Sequence, residues 1–211
     1  MRIQLNRRVV AQCLFLAGAT LSAGCHSASA GAPRTAAAPP RVHITFVPQS
    51  DSFAASARDY ERMWAAEGPR IVAAMERVSG LTFISSVYAD TAITANVLER
   101  ASNSGFRASP MQLRASYSAD TKKATIIHEL GHRLQSGLFR REEEEHGPLF
   151  LWIYDVWVAL YGRGFADAQV VIERARGGPY PKAWDEAMAL TAEQRAARWR
   201  ELIAERLPTR R

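Results

Sequence analysis

The sequence predicts an α+β fold in which a small mixed sheet packs on helices and the C-terminal part is helical. Short runs rich in Val, Ile and Phe predict strands at 42–47, 81–88 and 111–118. Between and after these runs, apolar residues recur every three or four positions, which predicts amphipathic helices. Beyond residue 147 only helical patterns follow, so the sheet belongs to the first half of the domain.

The N-terminal segment predicts export. Residues 1–24 have the pattern of a signal peptide, with Arg7 and Arg8 before an apolar run that is too short to span a membrane as a helix. Residues 25–41 are rich in Ala, Ser, Pro and Gly, so we expect a flexible tether. A single domain of roughly 170 residues would then occupy 42–211.

The end of this segment, Leu21-Ser22-Ala23-Gly24-Cys25, resembles the lipidation box of bacterial lipoproteins. The resemblance implies that Cys25 is lipidated and anchors the chain to a membrane. Because His26 rather than Asp follows Cys25, it further implies the outer membrane, with the domain facing the periplasm. The small residues of Ala28-Ser29-Ala30 offer an alternative cleavage site, which would release a soluble periplasmic or secreted protein.

Two helices are predicted in the first half of the domain. Apolar residues from Phe53 to Trp64 recur at helical spacing, and Gly68-Pro69 is expected to end that helix. A second helix follows, and Gly80 is placed to terminate it. Within the segment 89–110, Ile93 to Leu98 fits strand and helix equally and Ser102 to Gly105 is a loop, so we assign neither a strand nor a helix there.

The C-terminal half begins with an apolar helix. Gly147-Pro148 opens it, and residues 149–161 are apolar on every side except at Asp155, so the helix should be buried and its carboxylate should have a partner. Further helices are predicted at 165–176, at 182–190 and from Thr191, where Gln194 completes a capping box. We expect the arginines of the last helix to be solvated: Arg195, Arg198 and Arg206.

Composition excludes several classes of function. Both cysteines, Cys13 and Cys25, precede the domain, so it has no thiol for a disulfide, a nucleophile or a metal ligand. The formal charge of +6 falls to +3 once the three arginines of the signal segment are removed, which is too little to predict nucleic-acid binding. Any metal site must therefore use His, Asp or Glu.

The stretch His128-Glu129-Leu130-Gly131-His132 is the most informative one. Histidines four residues apart on a helix lie about 40° apart around its axis, so both rings can reach one ion. Glu129 would sit beside that ion, placed to take a proton from a metal-bound water. Ser118 or Asp120 is placed to cap this helix, which should run to about Ser136.

At this motif the sequence resembles the HExxH zinc metallopeptidases, the zincins. The resemblance implies a minimal zincin-like domain that holds one Zn²⁺ per chain, with His128 and His132 as ligands, Glu129 as the catalytic base and a peptide or protein as the substrate. It also implies that the strand before the metal helix, residues 111–117, pairs with an extended substrate backbone.

Two histidines require a third protein ligand. Gluzincins supply a Glu from the next helix, and Asp155 best matches that position here, as in the aspzincins. His146 is the rival, Glu145 and Glu173 are further alternatives, and Asp155 could instead accept a hydrogen bond from a ligand ring. Candidates for stabilising the oxyanion are His146, Tyr154 and Tyr161.

Two other functions fit the same residues. A noncatalytic zinc-binding envelope lipoprotein would use the same ligands without turnover, and replacing Glu129 would not affect it. A binding module would instead expose the aromatic helix at 149–161 as an interface, so the exposure of Trp152 and Trp157 distinguishes it from a packed core. The sequence leaves the cleavage specificity and the oligomeric state open.

Overall fold

A computed structural model of the chain describes residues 42–83, 92–105, 109–139 and 146–206. All of them belong to one compact unit, residues 37–211. The signal segment, the tether, Cys25 and the charged run with Glu145 lie outside the described residues, as does most of the strand predicted at 81–88. The α+β class predicted from the sequence is confirmed.

The sheet has three strands in the described part of the chain, in the order β1-β2-β3. They are β1 (His43–Pro48), β2 (Ala92–Leu98) and β3 (Met111–Arg114). Both pairings are parallel, with Ile44 opposite Ile93 and Val97 opposite Leu113. The mixed sheet that we expected is therefore not formed by these strands; the one antiparallel contact among the described residues is an isolated bridge between Asn103 and Gln112.

Six α-helices follow and flank the strands in the described chain. Their bounds are α1 (Ala54–Ser79), α2 (Ala119–Leu134), α3 (Gly147–Tyr161), α4 (Arg163–Arg174), α5 (Tyr180–Met188) and α6 (Ala192–Ala204). Gly80 ends α1 in the left-handed conformation at φ 72°, Ser118 caps α2 by accepting from the Thr121 N–H, and the capping box at Thr191 is formed. No described helix has the length and apolar content needed to cross a membrane.

Helix α1 runs unbroken through Pro69, so the predicted break there is wrong. A proline inside a helix costs about 3 kcal/mol. Trp64 and Ile71, one on each side of it, are both buried in the core. Each such side chain contributes about 1.5–3 kcal/mol on burial, which offsets the lost hydrogen bond and keeps the two halves in one helix.

Helix α3 forms the centre of the helical layer and contacts every other α-helix. Trp152 and Trp157 are 1% and 0% exposed, so they are core residues. The aromatic surface that a binding module would need is therefore not presented by this helix. The prediction of a buried helix with a partnered carboxylate is confirmed.

The partner of Asp155 is Arg195 of α6, which is 4% exposed. Its guanidinium donates two hydrogen bonds to the carboxylate, from Nη2 at 2.7 Å and from Nε at 3.0 Å. The expectation of a solvated Arg195 is therefore wrong, because this pair ties α6 to α3. Arg206 is also partly covered, with its guanidinium over the Phe139 ring, whereas Arg198 is exposed as expected.

Candidate metal centre

Helix α2 brings its two histidines together as the motif predicted. The Nε2 atoms of His128 and His132 lie 3.1 Å apart. His128 is buried at 1% exposure, and Glu129, next to it on the helix, is 3% exposed. The helix is thus packed into the core and its ligand face is sheltered from water.

His146 completes a group of three. It is the residue that caps the start of α3, and one ring nitrogen from each of His128, His132 and His146 lies within 4.8 Å of the other two. We call these three residues the histidine cluster. The cluster could hold a metal ion. Its third member is His146, the second choice for the third ligand in the sequence analysis.

Gly131 explains how α3 comes close enough to α2. A Cβ at Gly131 would lie 2.6 Å from Leu149 Cδ1 and 3.3 Å from the Trp152 ring. Ordinary carbon contacts are about 3.5–4.0 Å, so any larger residue would push the two helices apart. The second variable position of the motif is thus a packing position for the helix that follows His146.

The donor set fits a borderline divalent ion such as zinc. Nitrogens bound to one tetrahedral zinc at about 2.0–2.1 Å would be roughly 3.3–3.4 Å apart, close to the separation between His128 and His132. The Nδ1 atom of His146 is buried without a hydrogen-bond partner. A buried ring nitrogen without a partner is costly, and a metal ligand role would satisfy it.

Glu173 of α4 contacts the histidine cluster through His128. Its Oε1 lies 2.8 Å from His128 Nδ1, within hydrogen-bond distance although the N–H does not point straight at the oxygen. Its Oε2 accepts from Trp184 Nε1 at 3.0 Å. A carboxylate behind a ligand histidine fixes the ring and raises its basicity.

Glu173 and His128 form a buried pair in which each group shifts the pKa of the other. Burial by itself would lower the pKa of His128, but the neighbouring carboxylate outweighs it and the pKa lies above its ordinary value. In the same way, burial acts to raise the pKa of Glu173, and His128 holds that pKa below its ordinary value. In the metal-free protein, each group therefore favours the charged form of the other.

Burial has the largest effect on the pKa values of Glu129, His132 and His146. Burial raises the pKa of Glu129 to about 7, partly opposed by His128 and Arg176, which is the range of an efficient general base. Burial and the charge of His128 lower the pKa of His146 to about 4, and they lower that of His132 as well. Both of these rings are neutral at pH 7, as ligand histidines must be.

The first-choice ligand, Asp155, does not join the cluster. It lies nine residues beyond His146 along the chain, or about 13 Å of helix, and its carboxylate is bound to Arg195. Glu173 rather than Asp155 fills the supporting role behind a ligand ring. The alternative Glu145 lies outside the described residues.

Two of the proposed oxyanion donors are engaged elsewhere. The Tyr154 hydroxyl donates to Asp167 at 2.7 Å, and the Tyr161 hydroxyl donates to Glu67 at 2.8 Å. The tyrosine beside the cluster is Tyr180, whose ring centroid lies 4.1 Å from that of His146 and 6.0 Å from that of His128. No local pattern indicated Tyr180, because it is the first residue of α5 and lies 48 positions after His132.

Strand β3 lies at an edge of the sheet, but its backbone already has partners. The N–H and C=O of Gln112 pair with Asn103. The Arg114 N–H donates to Ser102 Oγ, and its carbonyl accepts from the Tyr60 hydroxyl. A substrate backbone could pair with this edge only by displacing those contacts, so the role implied for 111–117 has no support in this arrangement.

Comparisons with protein-family models, curated protein sequences and solved structures found no match to this chain. The fold and the site therefore define its class by themselves: an α+β domain with a buried group of three histidines that could bind a metal ion.

Proposed function

We propose that the protein is a zinc-dependent peptidase of the cell envelope. The observation that carries the proposal is the histidine cluster with Glu129 buried next to it on the same helix. Three histidines without a fourth ligand among the described residues are the donor set of a catalytic zinc site. Envelope localisation rests on the signal segment and on the lipidation box at Cys25.

His128, His132 and His146 would hold the ion, and Glu173 would orient His128. Bound zinc supplies a Lewis acid that polarises a carbonyl and lowers the pKa of water toward about 7. Glu129 would accept the proton of the attacking water and deliver it to the leaving amine. In the metal-free protein, burial raises the pKa of this carboxyl group to about 7. The Tyr180 side chain faces the same space and is a donor for the developing oxyanion.

The first experiment measures the zinc stoichiometry of the purified full chain and of three variants. Wild type should bind about one zinc, Glu129→Gln should keep it, Asp155→Asn should keep it, and His146→Ala should lose it or bind it much more weakly. Zinc retained by His146→Ala and lost by Asp155→Asn would overturn the ligand set.

The second experiment measures hydrolysis of a mixture of quenched fluorescent peptides by the zinc-loaded chain. Glu129→Gln should reduce cleavage by at least about 100-fold, with Glu201→Gln, a change at an exposed site of α6, as the matched control. A zinc-loaded wild type without cleavage, or a Glu129→Gln variant as active as wild type, would favour the noncatalytic metal protein.

A further inference from the structure

Arg176 stands just beyond the end of α4, in the turn that leads to Tyr180. Its guanidinium carbon lies 5.7 Å from the ring centroid of Tyr117 and 5.6 Å from that of Tyr180. Two aromatic rings thus hold the guanidinium in place while leaving it partly exposed.

No carboxylate of the described residues lies within ion-pair distance of Arg176. The nearest acidic residue in sequence, Glu173, is committed through one oxygen to His128 and through the other to Trp184. By contrast, Arg174, two residues earlier, pairs with Asp185. A half-buried guanidinium held by rings alone keeps its donors available for an anion.

This cation adjoins the histidine cluster. Tyr180 contacts both. Its ring centroid lies 5.6 Å from the guanidinium carbon of Arg176 and 4.1 Å from the ring centroid of His146. Arg176 also acts electrostatically on Glu129 and on His128. The two distances from Tyr180 place the guanidinium carbon at most about 10 Å from the His146 ring. Since one residue spans about 3.8 Å, an anion on Arg176 would lie within about three residues of a carbonyl held at the cluster.

We propose that Arg176 binds a carboxylate of the substrate within about three residues of the scissile bond, and that the protein therefore selects peptides that carry an anion there. This inference rests on the proposed peptidase function. A planar guanidinium binds a carboxylate through two parallel hydrogen bonds, and Tyr117 and Tyr180 keep it oriented. The carboxylate belongs either to the C-terminus of the peptide or to an acidic side chain near the cleavage site.

The test measures binding of peptidyl hydroxamates to the zinc-loaded full chain by calorimetry, which needs no turnover. Three compounds share one backbone: one ends in leucine with a free carboxylate, one in leucine amide and one in glutamate amide. The hydroxamate chelates zinc in all three, so differences in affinity report the carboxylate. Variants are Arg176→Gln, Arg176→Lys and, as the matched control, Arg174→Gln.

We expect wild type and Arg174→Gln to bind one of the two anionic compounds about 10- to 100-fold more tightly than leucine amide. The preferred compound identifies the source of the carboxylate. Arg176→Gln should remove the preference and leave the affinity for leucine amide unchanged, and Arg176→Lys should retain only part of it because it lacks the planar fork.

Equal affinity for all three compounds in wild type would overturn the inference while leaving the open metal site intact. A full preference retained in Arg176→Gln would also overturn it. No binding of any hydroxamate to the zinc-loaded wild type would instead refute the open site, and with it the proposed peptidase.

Discussion

Gly131→Ala tests how the histidine cluster is assembled. The added methyl would lie 2.6 Å from Leu149 Cδ1, about 1 Å inside ordinary contact. Leu149 and Trp152 are 0% and 1% exposed, so neither can swing into solvent. Relieving this contact therefore requires a repacking of the Leu149 side chain, a shift of helix α3 away from α2, or both. A shift of α3 would displace His146, which lies at its start.

The size of the effect follows from two opposing contributions. Overpacking a core costs about 1–3 kcal/mol, whereas replacing a helical glycine with alanine returns about 1 kcal/mol. We expect the metal-free variant to lose about 0–2 kcal/mol of unfolding free energy. Metal ligands tolerate displacements of only about 0.2 Å, so zinc affinity should fall further, by about 10- to 100-fold.

Competition with a chromophoric chelator measures the affinity, and urea unfolding of the metal-free protein measures the stability. Gly164→Ala is the matched control, because its Cβ meets nothing within 4 Å; it should gain up to about 1 kcal/mol and bind zinc normally. Adding Leu149→Ala to Gly131→Ala should restore zinc affinity, since the two changes share one contact. A Gly131→Ala variant that behaves like Gly164→Ala would refute the reasoning.

Three further predictions concern the surrounding charges. Glu173→Gln should weaken zinc binding about 10- to 100-fold, whereas Glu186→Gln at an exposed site of α5 should not; equal affinities would contradict the supporting role. Arg195→Met should lower the unfolding free energy by about 2–4 kcal/mol, because it leaves Asp155 without its partner, while zinc content stays unchanged; loss of zinc would contradict the separation of the two sites. The folded-state pKa of His146, about 4, lies below the unfolded value near 6.5, so the unfolded metal-free chain binds more protons and stability falls as pH drops from about 6.5 to 4. In urea unfolding across that range, the wild type should lose up to about 3 kcal/mol more unfolding free energy than His146→Gln. An identical pH dependence of the two proteins would contradict the burial of His146.

The features predicted correctly depend on neighbours in sequence. The Ser118 cap and the capping box at Thr191 are completed within three residues, and the two histidines of α2 are brought together by one turn of helix. The break at Pro69 was predicted from local preference alone, and the burial of Trp64 and Ile71 overrides that preference. Local rules therefore predicted most of the elements, but they left the central strand β2 unassigned and divided α1 into two helices.

The errors at the site have a different origin. Asp155 was chosen because it matches the position of the gluzincin ligand on the next helix. Its buried carboxylate does have a partner, but that partner is Arg195, 40 residues away. No pattern within α3 distinguishes a metal from an arginine on another helix. His146 was ranked second because its position in a charged loop suggested exposure, whereas the close packing permitted by Gly131 draws it into the cluster.

The C-terminal helices, where the sequence analysis named only Glu173 as a possible ligand, supply most of the surroundings of the cluster. Glu173 comes from α4, Tyr180 from α5, and α6 holds α3 in place through Arg195. Each of these residues acts through a neighbour on a different element, so none has a motif of its own. In the proposed peptidase, α2 would provide two ligands and a base, and residues 163–204 would provide the charge that orients one ligand and a cation for the substrate. Ligand binding by the Arg176 variants would separate these two contributions, because Arg176 can be changed without touching the histidines.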